Sequence, residues 1–324
     1  MFFGALFKLT AEKTILSLDM GLELILYAVV GFIQTLIITS FFFNKRAIAL
    51  TFRSMQTTFV DWSLKRRVHP DNCYDKSETF LFYTMIGTTI CIICIMLGPV
   101  LSAIYDIGNV PLDHRSHWIL HWPTVINIDT FWRYGLIITL QMTATTYLLL
   151  SVALYSMYTI AFLTELKEQF KLLTNGIREA FHYRMDQHFQ VYFVDSVRHH
   201  QTLMNTLNEF KKYNKWILFG EIATVEMVFL LATYCLIKVD ASFGYKLKFI
   251  GILVFWIAML WSQCTLGDDI IYLHKSLSTE LYCMTWYNMP NHYKKNIIVM
   301  FQRTQRDLYL NSAIFQNRIA YERQ

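Results

Sequence analysis

Proline is scarce in this chain. Only 5 of its 324 residues are proline, 12 are glycine and 16% are charged, whereas 54% are hydrophobic. So few charges argue against two soluble domains, and so few helix breakers predict long helices. The mean hydropathy of +0.32 therefore indicates a membrane protein built from long helices.

Motifs that hold phosphates, nucleophiles or metals are absent from the sequence. There is no Walker lysine loop, nucleophile elbow, HExxH pair or glycine-rich dinucleotide turn. Basic residues fall in the loops between apolar runs and form no stripe with interleaved aromatics, which excludes nucleic acid as a partner. Cys91 and Cys94 form a CxxC inside an uncharged run, where no activated thiolate is expected. The sequence therefore predicts no enzyme, no cofactor and no metal centre.

Five segments are long and apolar enough to cross a bilayer core about 30 Å thick as helices. They are residues 21–43, 80–104, 134–158, 217–237 and 249–267. The fold class predicted is all-α, a polytopic membrane helical bundle with residues 21–267 as its transmembrane domain. Residues 1–20 precede the first span, 44–79 and 165–215 are loops, and 268–324 form a helical tail.

Lysine and arginine in the loops set the expected orientation. They are concentrated in residues 44–79, 165–215 and 268–324, and the loop between Asp106 and Arg133 holds few. The positive-inside rule places the three rich segments in the cytoplasm, and residues 1–20 outside the cell.

The cytoplasmic segments show helical apolar stripes. The stripe positions are Leu166, Phe170, Leu173, Ile177 and Phe181, then Val197, Met204, Leu207 and Phe210, and finally Ile270, Leu273, Leu277, Leu281 and Met284. Their steps of three and four predict helices that continue the spans and bury one face against each other in a cytoplasmic anchor bundle. The alternative is that the stripes lie flat on the lipid headgroups.

Histidines offer an alternative function, a membrane iron enzyme. His114, His117 and His121 have a suitable spacing, and His199 and His200 form a second group. The expected orientation puts the groups on opposite sides of the bilayer, so one metal ion cannot bind both. The first group then belongs to an interfacial aromatic belt, and the pair lies on a helix surface.

Polar residues near the spans allow two interpretations each. Glu221 and Glu226 suit a proton relay or an ion path, but snorkelling towards headgroups also explains them. Gln34, Gln141 and Gln263 suit hydrogen bonds between helices or contact with a ligand. Asp268 and Asp269 mark a membrane exit and are expected to be solvated.

Residues of the C-terminal half resemble insect odorant receptors. The similar features are the pair His200-Gln201 before a span, a Cys-x-x-Gly after the next span at Cys264 and Gly267, then Ser276, Tyr282 and Trp286, and finally Lys294, Lys295, Arg303, Gln305 and Arg306. The resemblance covers most of the chain, and the related gustatory receptors are its near neighbour.

The resemblance implies a seven-span subunit that acts with a shared co-receptor as an odorant-gated cation channel in the plasma membrane of sensory-neuron dendrites. The five spans would correspond to the family's second to sixth, so the sequence is expected to be truncated at both ends. A non-conducting interaction or decoy subunit is the alternative for such a chain.

The resemblance also implies a pocket for small hydrophobic volatile ligands among the outer halves of the spans. The expected lining residues are Tyr27, Val30, Met96, Leu97, Ile138, Gln141, Met142 and Trp256. Gln141 is the polar candidate that would orient a carbonyl or hydroxyl group, and ordinary packing between helices is the alternative role for each residue.

Overall fold

The fold is given by a computed structural model of the chain. It describes residues 18–54, 131–182, 187–238, 243–306 and 308, together with single positions between 79 and 93. Within these ranges there are six α-helices, one short 3-10 helix and no strand. The elements are α1 (Leu18–Phe43), α2 (Lys45–Ser54), α3 (Phe131–His182), α4 (Gln187–Lys238), α5 (Phe243–Cys283), the 3-10 helix Trp286–Asn288 and α6 (Asn291–Thr304).

The long helices follow from the scarcity of breakers. Helices α3 and α4 have 52 residues each and α5 has 41, and none of the three contains a proline. Proline ends or kinks a helix, so each apolar run continues into the polar stretch beside it. Pro290 instead stands directly before α6, a position where proline is tolerated.

Three of the described helices are long and apolar enough to cross a membrane. Their qualifying ranges are Phe131–Phe181, Phe189–Tyr234 and Phe249–Cys283, and the bent pair Ala28–Phe43 and Lys45–Arg53 is a fourth if counted as one span. The predicted spans 21–43, 134–158, 217–237 and 249–267 fall within α1, α3, α4 and α5. Of the predicted span 80–104, the structure describes eight residues, and all eight are helical. An all-helical membrane bundle is confirmed, and the number and ends of its spans remain predictions.

Threonine hydroxyls in the apolar helices are satisfied within their own helix. Thr35 donates to the carbonyl oxygen of Gly31 at 2.8 Å, and Thr224 donates to that of Gly220 at 2.7 Å. Along the start of α3, Thr139, Thr143, Thr145 and Thr146 also donate to carbonyl oxygens one turn back. Such local bonds let a hydroxyl face hydrocarbon without an unsatisfied donor.

The chain divides into two compact units. Unit 1 takes its described residues from Met1–Thr39, Tyr83–Met157 and Phe219–Leu260. Unit 2 takes them from Ser40–Phe82, Tyr158–Leu218 and Trp261–Gln324.

Apolar stripes from three helices form the core of unit 2. The buried stripe residues are Leu166, Phe170, Leu173 and Ile177 on α3, Leu203, Leu207 and Phe210 on α4, and Ile270, Leu277 and Leu281 on α5. The rings of Phe162 and Phe210 stack with centroids 4.1 Å apart. The predicted mutual burial of the stripes is confirmed, so the alternative in which they lie flat on lipid is wrong for these helices.

The register predicted for the stripe of α4 is wrong in part. Val197 and Met204 are only half-buried, whereas His200 and Leu203 are fully covered. The buried positions His200, Leu203, Leu207 and Phe210 follow steps of three and four as well, but one of them is polar. A prediction that uses only apolar residues passes over His200 and therefore selects Val197 and Met204 instead.

A second buried cluster joins the start of α4 to α6 within unit 2. It consists of Ala180, Phe189, Phe193, Met289, Tyr293 and Ile297. The rings of Phe189 and Phe193 stack at 5.5 Å, and Tyr293 meets both of them edge-on. Tail residues 289–297 therefore pack against unit 2 as part of its core.

Candidate ligand-binding site

Unit 1 contains a polar contact between α1 and α3. Gln34 on α1 is fully buried, and the hydroxyl of Ser151 on α3 lies 3.3 Å from its side-chain oxygen. The same hydroxyl also lies 2.8 Å from the carbonyl oxygen of Leu148. A hydrogen bond between helices is the commoner use of a glutamine in an apolar segment, and Gln34 serves it here.

A second polar contact in unit 1 joins α3 to α4. Glu221 is buried, and the hydroxyl of Ser156 donates to its Oε1 at 3.3 Å. The snorkelling interpretation is therefore wrong for Glu221, because its carboxyl group points into the unit. Glu226, five residues later, is exposed and fits that interpretation. The two glutamates lie on different faces of α4.

Close packing of α1 against α4 positions these groups. A Cβ atom built on Gly220 would lie 3.4 Å from Cγ2 of Ile33. Glycine at this position lets the helices approach within side-chain contact distance, as small residues do between membrane helices. Glu221 and Thr224, the neighbours of Gly220 on α4, are both buried.

Six of the eight predicted ligand residues belong to unit 1 as described. Gln141 on α3 and Trp256 on α5 are buried, and Val30, Ile138 and Met142 are half-buried. For Tyr27 only the backbone, within α1, is described. Met96 and Leu97 lie outside the described residues. One compact unit thus contains Gln141, Trp256, Val30, Ile138 and Met142, and their contact with a ligand stays a prediction.

The chemistry available at these residues is apolar burial with one amide. Trp256 packs edge-on against Phe255 with ring centroids 5.8 Å apart. The Gln141 side chain carries both a hydrogen-bond donor and an acceptor, so it can meet a hydroxyl or a carbonyl group in apolar surroundings. Such a set suits binding of a small apolar molecule with one polar group.

Buried histidines occupy the core of unit 2. His199 and His200 on α4 and His274 on α5 are all buried, so the prediction that the His pair lies on a helix surface is wrong. Burial, the largest cause, together with the charges of His274 and Arg303, lowers the pKa of His200 to about 4. Burial also lowers the pKa of His274 to about 4, assisted by Lys211 and Lys275. These side chains lie outside the apolar segments 217–237 and 249–267.

His200 and His274 are neutral in the folded protein at pH 7. The ring of His274 meets Phe170 edge-on at 5.9 Å, so it packs as an aromatic side chain. Desolvation disfavours the charged form, and the neighbouring cations repel an added proton. The signal that would have found His274 is its spacing, since Ile270, His274 and Leu277 follow one stripe.

Ion pairs lie on the surface of unit 2. Lys167 and Asp269 are 2.5 Å apart, and Arg178 and Glu280 are 2.8 Å apart. The prediction that Asp269 is simply solvated is therefore incomplete, because it pairs with α3 while half of its side chain stays exposed. Asp268 is exposed as expected.

The serine partners of Gln34 and Glu221 were not predicted. Ser151 and Ser156 gave no signal in the sequence, because a serine in an apolar run usually bonds to its own helix.

The histidines considered for an iron site fall into two groups, one outside the described residues and one in the core of unit 2. His114, His117 and His121 lie outside the described residues, and His199 and His200 are core residues of unit 2. Among the described side chains, no three or more histidine, cysteine, aspartate and glutamate residues are grouped as metal ligands.

Comparison with known proteins gives one family and one fold. The family model described as 7tm Odorant receptor matches residues 25–317. No curated protein sequence matches the chain. The solved structure of the insect olfactory receptor OR5 from Machilis hrabei is similar, with a TM-score of 0.75 and 14% identity over 97% of this chain and 79% of that one. The same receptor in complex with eugenol gives a TM-score of 0.77 with equal identity and coverage.

Proposed function

The chain belongs to the 7tm odorant receptor family, and from this membership we propose that it binds small volatile ligands and gates a cation channel together with a co-receptor subunit. The family consists of olfactory receptors. The chain is therefore a multi-pass membrane receptor rather than an enzyme. The family match over residues 25–317 confirms that the C-terminal half resembles insect odorant receptors.

The observation that carries the ligand proposal is the burial of Gln141 inside an apolar unit. Gln141 and Trp256 are both buried in unit 1, on α3 and α5. A similar fold has been solved with a small aromatic phenol, eugenol, which supports a small ligand of that kind for this chain. Apolar burial would supply most of the binding free energy, and the amide of Gln141 would orient a hydroxyl or carbonyl group.

The proposed orientation places unit 2 in the cytoplasm and the ligand pocket towards the outer side of the plasma membrane of a sensory-neuron dendrite. Loops rich in lysine and arginine belong to unit 2, which supports this orientation through the positive-inside rule. The partner proposed is the odorant co-receptor, in a hetero-oligomer.

The test is co-expression of the chain with the co-receptor, followed by recording of odorant-evoked current. The variant Gln141→Leu should shift half-maximal concentrations for alcohols and ketones by about threefold to tenfold, the value of one hydrogen bond, and leave hydrocarbons unchanged. Gln263→Leu is the matched control, because Gln263 is a buried glutamine of unit 2. Equal shifts for all ligands, or an equal effect of the control, would remove Gln141 from the pocket.

A silent result has a defined meaning in this experiment. If the chain reaches the cell surface with the co-receptor and a broad odorant panel evokes no current, the channel proposal is wrong. Suppression of another receptor's current under the same conditions would then support the interaction or decoy subunit.

A further inference from the structure

Helix α2 leaves the direction of α1 at a fixed bend. The axes of Ala28–Phe43 and Lys45–Arg53 differ by 65°. The N–H of Asn44 donates to the carbonyl oxygen of Ser40 at 3.0 Å, and that of Ile48 donates to the carbonyl oxygen of Asn44 at 3.0 Å. The side-chain nitrogen of Asn44 donates to the Ser40 carbonyl as well, at 2.9 Å. Asn44 is thus hydrogen-bonded to the turn before the bend and to the turn after it, and these bonds support the angle of α2.

One side of α2 packs against α3 within unit 2. Thr51 is buried, and the Phe52 ring stacks on that of Tyr158 with centroids 6.2 Å apart and an angle of 18° between planes. The Tyr158 hydroxyl is in turn 2.5 Å from that of Tyr213 on α4. These contacts fix the rotation of α2 about its axis, so the same side chains are always left exposed on its other side.

The other side of α2 combines exposed apolar side chains with cations. Leu50 is 67% exposed, and Phe42 and Phe43 at the end of α1 are 66% and 78% exposed. Lys45 and Arg46 are exposed beside them, and the Lys45 ammonium lies 4.8 Å from the centre of the Phe42 ring. Water suits the cations but not the apolar side chains, and hydrocarbon suits only the latter. The boundary between acyl chains and headgroups accommodates both.

Charge of a single sign specifies the kind of headgroup. No acidic residue occurs between Glu23 and Asp61, so every charge on α2 is positive. Phosphate and carboxylate oxygens of anionic lipids complement such a surface. The position of α2, directly after an apolar segment of a multi-pass membrane protein, brings it to headgroup level.

We propose that α2 lies in the headgroup layer and binds anionic phospholipids. Leu50, Phe42 and Phe43 enter the acyl boundary, and Lys45 and Arg46 bind the phosphate groups. Because the Phe52 ring stacks on Tyr158, lipid bound to α2 also restrains the part of α3 around Tyr158.

The first experiment measures lipid selectivity of the full-length protein. The protein would be purified in mixed micelles of phosphatidylserine and phosphatidylcholine, and bound lipids would be counted by native mass spectrometry. Each basic residue near an anionic surface contributes about a fivefold preference, so Lys45→Gln with Arg46→Gln should reduce phosphatidylserine retention by at least about fivefold. Lys294→Gln with Lys295→Gln removes the same charge from α6 and should leave retention unchanged. Equal retention by parent and α2 variant, or an equal loss in the α6 control, would overturn the proposal.

The second experiment identifies what covers Leu50. A photoreactive benzoylphenylalanine placed at position 50 would be activated in vesicles containing phosphatidylserine, with position 287 as the control because Tyr287 is exposed on unit 2. A lipid adduct at position 50 that is absent at position 287 is the expected result. An adduct to a second protein chain, or no lipid adduct at position 50, would contradict a location in the headgroup layer.

Discussion

Acidification should destabilise unit 2 through His200 and His274. Both are buried and neutral, with pKa values lowered from 6.5 to about 4 by desolvation and neighbouring cations. Between these two values the unfolded chain binds more protons than the folded protein does. The free energy of unfolding is therefore at its full value above pH 6.5 and decreases as the pH falls towards 4.

The size of this effect follows from the pKa difference. A change from 6.5 to about 4 corresponds to about 3 kcal/mol for one histidine, at about 1.4 kcal/mol for each pKa unit. Repulsion with His274 contributes to the low pKa of His200, so the two values cannot simply be added. Lys275 is exposed, and solvent screens its part. We expect a loss of about 2–4 kcal/mol for the pair between pH 7 and pH 4.5.

Thermal unfolding of the purified protein, followed by the loss of its monodisperse peak in gel filtration, measures this loss. The midpoint of the parent should fall by several degrees from pH 7 to pH 4.5. His200→Gln with His274→Gln should flatten that fall, because glutamine does not titrate. Gln201→His is the matched control, since it adds an exposed histidine that should not change the curve.

Two results would refute the reasoning about His200 and His274. One is a midpoint that stays constant between pH 7 and pH 4.5 in the parent. The other is a double variant that loses as much stability as the parent does, which would assign the effect to carboxylates elsewhere.

Three further substitutions test the packing. Phe210→Ala should lower the free energy of unfolding by about 3–5 kcal/mol, because it leaves a cavity beside Phe162. Its control is Val191→Ala on the exposed side of α4, which should change the free energy of unfolding by less than about 0.5 kcal/mol in the same thermal assay. Gly220→Leu should destabilise unit 1 by about 1–3 kcal/mol through overpacking against α1, and unchanged surface expression and melting would contradict the close approach. Arg178→Ala should cost less than about 1 kcal/mol, since its partner Glu280 is partly exposed; a larger loss in the melting midpoint would show a stronger role.

The fold could be predicted from the sequence because its causes are repetitive. Apolar runs of span length, few prolines and stripes with steps of three and four all indicate long helices that pack on one face. The structure confirms the helices and the mutual burial of the stripes of α3 and α5. Each of these features depends on many residues, so a single exception does not change the result.

The candidate sites were less predictable because they depend on single residues. Burial of Glu221 and His200 contradicts the usual preference of charged and titratable groups for the surface, and only the tertiary packing decides it. The partners of Gln34 and Glu221 are serines, and the sequence does not show which serines reach another helix, since Ser151 also bonds to Leu148 of its own helix. Gln141 was predicted as a ligand contact because it is a polar residue in an apolar run, and its burial agrees with either packing or ligand binding.

Polar groups of unit 1 form their hydrogen bonds at different stages of synthesis, depending on whether the partner lies on the same helix or on another one. Threonine hydroxyls bond within their own helix, so a helix such as α1 can enter the bilayer with these groups already satisfied. Gln34 depends on Ser151, which lies 117 residues later, so its contact forms only after the ribosome has produced most of α3. Glu221 depends on Ser156, already present when α4 emerges. Gln34 on α1 therefore enters the bilayer before Ser151 has been made, and a membrane chaperone or the translocon can shield its side chain in that interval.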